Sequence, residues 1–236
     1  MHRIVLAFIV LPLALAACSQ TQYKAARELA PAATVQQAAK KTAAATSEHV
    51  VLDAAGTGGT FSGAVTGSGD FDNAKHRGSF HLDVTNFGSI DAVVDGTSAY
   101  VKAPFLVRFL PPGKTWLKLH AKPREFGVVP QNPKQALARL KKLVNVRKVA
   151  DETVDGVSTT HYHGTGRLEG SRGTFDVWIG KDDGYVRRVQ AAASGKNGNG
   201  HATVTFSDFG KAVTVSVPPA SDTADGTNLV PFFQHG

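Results

Sequence analysis

Apolar and polar residues alternate with a period of two over most of the chain from His49 to Val217. Asp-Gly and Asn-Gly pairs punctuate these runs, and only two stretches carry a helical period. Together these features predict an α+β domain built on a large antiparallel sheet of about ten or eleven strands, because the connections are too short for parallel crossovers.

Thr34 can cap a first helix over Val35 to Ala45, where Gln36 and Gln37 fall in the first turn and alanines raise helix propensity. From His49 the period changes: Val50, Leu52, Phe61, Gly63 and Val65 alternate with polar residues. Ser79 to Thr85 is a clean alternation that points Phe80, Leu82 and Val84 inward and His81 and Asp83 outward. Ile90 to Val94 and Ser98 to Lys102 flank an Asp95-Gly96 turn, and Thr115 to Leu119 adds another strand. Asn132 and Pro133 then suit the cap and first position of a second helix. Leu137, Leu140, Leu143 and Val144 form its apolar stripe, with Lys134, Arg139, Lys141 and Lys142 around the rest, for about three turns.

The second half returns to strands at Arg147 to Val154, Val157 to Glu169, Gly173 to Ile179, Val186 to Ala193, His201 to Phe206 and Ala212 to Val217. Turns are expected at Asp155-Gly156, Asp183-Gly184 and Asn197-Gly198. Phe175, Val177 and Ile179 share one face, as do Ala202, Val204 and Phe206, and Val213, Val215 and Val217. After Pro218-Pro219 the periodicity ends, and residues 220–236 read as a loose tail despite Phe232 and Phe233.

Two helices are few for so broad an apolar face. A sheet of this size tends to curl, and a curled sheet with few helices on its concave side can enclose an apolar cavity. The pattern fits equally well a sandwich with a filled core.

The N-terminus adds an address. His2 and Arg3 precede an almost unbroken apolar run from Ile4 to Leu15, followed by Ala16-Ala17-Cys18. This is the layout of a signal peptide over residues 1–17, with an apolar run too short for an ordinary membrane span. Leu15-Ala16-Ala17-Cys18 resembles the lipobox of bacterial lipoproteins, which implies a diacylglyceryl group on Cys18 and cleavage just before it. Cys18 is the chain's one cysteine, so it has no internal disulfide partner. Residues 18–33 then read as a lipidated N-terminus and tether, and 34–219 as the folded domain.

The formal charge is +7. The basic residues are dispersed, with no arginine-rich arm, zinc finger or helix-turn-helix, so nucleic acid is not an expected partner. Anionic headgroups at a membrane, or solubility alone, account for the excess.

Chemistry-bearing motifs are sparse. His161 and His163 flank Tyr162 and point to one side of a strand, where a third ligand from His81, Asp83 or Asp176 would make a metal site. Two solvent-facing histidines explain the pair as well. Gly67-Ser68-Gly69 reads as a flexible loop, and Asp182-Asp183-Gly184 has one fragment of a calcium loop without the other ligands. No nucleophile elbow, phosphate loop or cofactor motif is present, so no catalytic residue, cofactor or metal is assigned.

Three stretches carry a family resemblance. Asp151 to Gly166 (DETVDGVSTTHYHGTG), Phe175 to Gly180 with Asp183 to Val189, and Val204 to Val213 are similar to actinobacterial lipoproteins of the LppX and LprG type, in the LolA-like superfamily. The order of parts agrees over about Val35 to Pro219, including the Trp116-Leu117-Lys118-Leu119 strand. The resemblance implies a half-barrel antiparallel sheet with helices on its concave face, enclosing a cavity for acyl chains of envelope lipids or lipoglycans. The expected protein is a non-enzymatic lipoprotein, held on the outer face of the plasma membrane by Cys18, that carries or presents lipid, in exchange with the membrane or a transporter. Expected cavity residues are Phe80, Leu82, Val84, Phe175, Val177, Ile179, Val204 and Phe206 from strands, with Leu137 and Leu140 from the second helix. The apolar connection Ala103 to Pro112 is either a lid over the cavity or a packed strand end. The alternative function is an interaction or scaffolding lipoprotein of the same fold with a filled core.

Overall fold

The computed structural model describes residues 29–58, 62–119, 133–168, 171–195 and 198–226. Their strands join in one sheet of twelve: β1 (Ser47–Thr57), β2 (Gly63–Asp72), β3 (Arg77–Val84), β4 (Gly88–Asp95), β5 (Ser98–Lys102), β6 (Trp116–Leu119), β7 (Val144–Val154), β8 (Val157–Leu168), β9 (Ser171–Gly180), β10 (Val186–Gly195), β11 (Gly198–Ser207) and β12 (Thr223–Asp225). The order across the sheet is β12-β6-β5-β4-β3-β2-β1-β11-β10-β9-β8-β7. Two antiparallel meanders, β1 to β6 and β7 to β11, therefore meet where β1 pairs with β11. The β7–β8 hairpin turns at Asp155-Gly156 with φ of 48° and 80°, the left-handed pair that a two-residue hairpin requires.

Helix α1 (Pro31–Ala43) begins before the expected Thr34 cap. Pro31 occupies the first turn, where its missing N–H costs nothing, and the Thr34 hydroxyl donates back to the Leu29 and Ala30 carbonyls. Helix α2 (Pro133–Leu140) is about two turns long, one fewer than expected. Leu143 still reaches the core, but Val144 starts β7 and is exposed. The expected cap Asn132 lies outside the described residues, as do Phe61, Asn197, Phe232 and Phe233. Both helices lie on one face of the sheet: α1 packs on α2 and on β7, β9 and β10, and α2 packs on β8. Thr42 fixes α1 to the sheet, its buried hydroxyl donating to Ala38 O at 2.9 Å and accepting from the Val186 amide at 2.8 Å.

Three expectations are corrected. Ala212 to Val217 forms no strand and pairs with none of the described strands. It follows β11, both of whose edges are already taken by β1 and β10, so alternation alone found no ladder to join. The tail is not loose throughout, because Thr223–Asp225 forms β12, parallel to β6. Finally, Gly67-Ser68-Gly69 lies in mid-strand in β2. A Cβ on Gly67 would stand 2.1 Å from His81 O, and one on Gly69 would stand 2.2 Å from the Phe80 ring. The glycines let Phe80 and Leu82 of β3 fold over the backbone of β2.

Both sheet edges are blunted. β12 has three residues, and the longer β7 carries register shifts at Val144/Arg147 and Lys148/Ala150.

Candidate functional site

The ladder registers line up inner-face residues in rows across the sheet. One row runs Tyr162, Val177, Val189, Val204, Leu52, Gly67, Leu82, Ile90, from β8 through to β4. The next is Gly164, Phe175, Ala191, Ala202, Ala54, Val65, Val84. The third is Gly166, Gly173, Ala193, Gly200, Gly56, Gly63, with nothing larger than a methyl group. On β10, β11 and β1 side-chain bulk therefore falls away along the strands, whereas Phe175 on β9 and Val84 on β3 keep it, and Leu143 and Phe175 lie over Gly166.

All ten residues expected from the sequence lie in or against one apolar cluster on this face. Phe80, Leu82, Val84, Leu137, Leu140, Phe175, Val177, Ile179 and Phe206 are buried, and Val204 is half-buried at its margin. The cluster also contains Val35, Ala38 and Ala39 of α1, with Val50 and Val186 from strands. The i, i+3, i+4 spacing of the α1 residues was the signal that could have added them. Leu52, Val65, Val189, Ala191 and Val204 continue the floor and remain half-buried.

A separate cavity of about 150 Å³ is lined by Glu48, His49, Asp70, Asp208 and Lys211 with residues 212–214. It is polar and internally paired. His49 Nδ1 meets Asp70 Oδ1 at 2.8 Å, and Lys211 Nζ donates to Asp208 at 2.6 Å, which holds the Asp208 carboxyl below its ordinary range.

On the outer face, His161 and His163 do share one side of β8, and Asp176 of β9 joins them. Its Oδ1 lies 2.8 Å from His161 Nε2 and 2.9 Å from His163 Nδ1. His161 also meets Glu152 Oε1 through Nδ1 at 2.9 Å, and its ring stacks on Trp178 with centroids 4.3 Å apart. The Trp178 indole N–H donates to Glu152 Oε2 at 2.8 Å, the main cause of a lowered Glu152 pKa, with His161 second. Nearby, hydrogen bonds from Lys181 and then Lys148 hold Asp151 at about 2. The network shields a tryptophan that the outer face would otherwise expose. His81 and Asp83 do not take part: β3 is separated from β8 by five strands, and His81 is bonded to Asp91 at 2.6 Å, which raises its pKa. Among the described residues, no group of three or more His, Cys, Asp or Glu side chains is placed to hold a metal ion.

The connection after β5 is a 3-10 turn, Pro104–Phe109. Leu106 is buried in the core, while Val107 and Phe109 project outward. Phe105 meets Phe87 of the β3–β4 turn edge to face, with centroids 5.7 Å apart. Cys18 lies outside the described residues. No described helix is long and apolar enough to cross a membrane.

No family model matches the chain. Over 101 residues it is 37% identical to the putative lipoprotein SCO4650 of Streptomyces coelicolor, covering 42% of this chain and 34% of that protein. Over 118 residues it is 30% identical to an uncharacterized 31.2 kDa protein of Streptomyces griseus from the rplA-rplJ intergenic region, covering 39% and 38%. The chain thus matches little more than a third of the length of either relative. In three dimensions it is similar to the Mycobacterium tuberculosis lipoprotein LppX, with a TM-score of 0.56 at 20% identity over 78% of this chain and 97% of that one. Mycobacterium bovis LprF gives a TM-score of 0.56 at 16% identity, over 80% and 96%. The large open antiparallel sheet with helices on one face, expected from the LppX-type sequence resemblance, is therefore the fold this chain shares with LppX and LprF.

Proposed function

We propose that this chain is a lipid-binding lipoprotein whose acylated Cys18 holds it at the outer face of the plasma membrane. Acyl chains lie along the inner face of the sheet. The observation that carries this reading is the fall in side-chain bulk on β10, β11 and β1, from Val189, Val204 and Leu52, through Ala191, Ala202 and Ala54, to Ala193, Gly200 and Gly56. That gradient gives an apolar floor of small side chains that extends beyond the strands on which α1 and α2 chiefly pack. Each methylene buried there contributes about 0.8 kcal/mol, so affinity grows with chain length and discriminates weakly between chain types. The names of the matched lipoproteins and the lipobox at Cys18 support the anchoring. Lipid then passes between the inner face, the bilayer and a membrane transporter.

Native mass spectrometry of the protein purified from its cells tests the reading. Co-purifying lipid is the expected result, and Ala202→Trp, which fills the half-buried floor, should remove it while circular dichroism stays unchanged. A clean apo mass across independent preparations refutes lipid carriage.

A further inference from the structure

We propose that the Phe87–Phe109 knob is a second membrane contact, one that inserts into an anionic lipid surface independently of any acyl group on Cys18. Two segments distant in sequence build it. The β3–β4 turn supplies Phe87, 50% exposed, and the 3-10 turn supplies Val107 and Phe109, 58% and 53% exposed. The Phe87–Phe105 ring contact and the buried Leu106 hold both segments in place, so these apolar groups are presented on a fixed support and not on a wandering loop.

The surroundings select the occupant. Residues 102–118 contain Lys102, Arg108, Lys114 and Lys118 and no acidic residue; of the acidic residues that flank the Phe87 turn, Asp83 accepts from Ser89 and Asp91 is bonded to His81 and stands opposite Lys102, while Lys114 donates to the Ala220 and Ser221 carbonyls. Arg108 stacks over the Phe109 ring, 4.7 Å from its centroid, which places a guanidinium beside the apolar tip. Aromatic rings with a basic collar suit the headgroup level of a bilayer, where rings enter the acyl boundary and cations meet phosphates. A protein partner would more commonly meet a rim of mixed polar groups. Of the other exposed large apolar residues, Val51 and Val217 stand singly, and Val144 and Val149 of β7 lie among Arg139, Lys141, Lys142, Arg147 and Lys148 but are single valines that present no aromatic ring. The knob is small, so it orients the domain on the surface and does not replace the anchor. This inference does not depend on lipid occupying the inner face.

The test uses the full chain carrying Cys18→Ser, which removes the acylation site, with a single environment-sensitive fluorophore at Val107→Cys. A matched control carries the label at Asp155→Cys, in the β7–β8 turn at the far edge of the sheet. Vesicles containing phosphatidylglycerol should blue-shift the label at 107 and not the one at 155, and pure phosphatidylcholine should do so weakly. Adding Phe87→Ser and Phe109→Ser should raise the lipid concentration needed by about tenfold or more. No shift at 107, or equal shifts at 107 and 155, overturns the proposal. So does a shift that grows with protein concentration in the absence of vesicles, which assigns the knob to a second copy of the chain.

Discussion

Thr42→Val is the sharpest probe of how the helices are seated. The substitution keeps shape and volume but removes the hydroxyl that accepts the Val186 amide at 2.8 Å, in a place where both residues are fully buried. The lost bond to Ala38 O matters less, because in a helix that carbonyl still receives the amide of the residue at 42. What remains is one buried N–H without an acceptor, which costs about 1–3 kcal/mol. For a domain of this size that corresponds to a fall of about 2–12 °C in Tm, at roughly 2–4 °C per kcal/mol. Thr42→Ser retains the acceptor and loses a methyl group, worth about 0.8 kcal/mol in transfer terms. Urea melts of the three proteins should therefore rank wild type above Ser above Val, with unchanged m values. A valine variant as stable as the serine variant would refute the claim that this hydrogen bond holds α1 on β10.

Gly67→Ala should destabilise by about 1–3 kcal/mol, since its Cβ meets a neighbouring backbone carbonyl that cannot rotate away; an unchanged denaturation midpoint would remove the close-approach argument. Leu137→Ala, at a fully buried α2 position, should cost about 2–5 kcal/mol by chemical denaturation. Asp151 should titrate near 2 by carboxyl-detected NMR and move upward in Lys181→Met. Because its folded pKa is depressed from 3.8, any stability it lends is present above that value and is lost as pH falls toward 2.

The inner face was legible because period two is enforced wherever one side of a strand is buried. Phe80, Leu82 and Val84 on β3 and Phe175, Val177 and Ile179 on β9 had no other arrangement consistent with their neighbours. The same rule misled at Ala212 to Val217, where the alternation is real but the preceding strand β11 already has β1 and β10 on its two edges. A three-residue strand such as β12 has too few residues to show a period at all. Glycines were the other blind spot. Gly67 and Gly69 resemble a loop in one dimension, and only the register opposite Leu82 and Phe80 explains why side chains are excluded there. The outer network was half visible: the His161–His163 spacing gave one side of a strand and Asp176 stood among its three candidate partners, but Glu152 and Trp178 come from cross-strand neighbours that spacing does not encode.

The seam between the two meanders has a kinetic consequence. His49 pairs with Ser207, about 160 residues later, so β1 cannot complete its ladder until β11 has been made, and α1 has no β10 to rest on before then. Each meander can nucleate from hairpins of short reach. Joining them closes the longest loop of the sheet, so the β1 edge stays open until the chain as far as Ser207 is available to cover it.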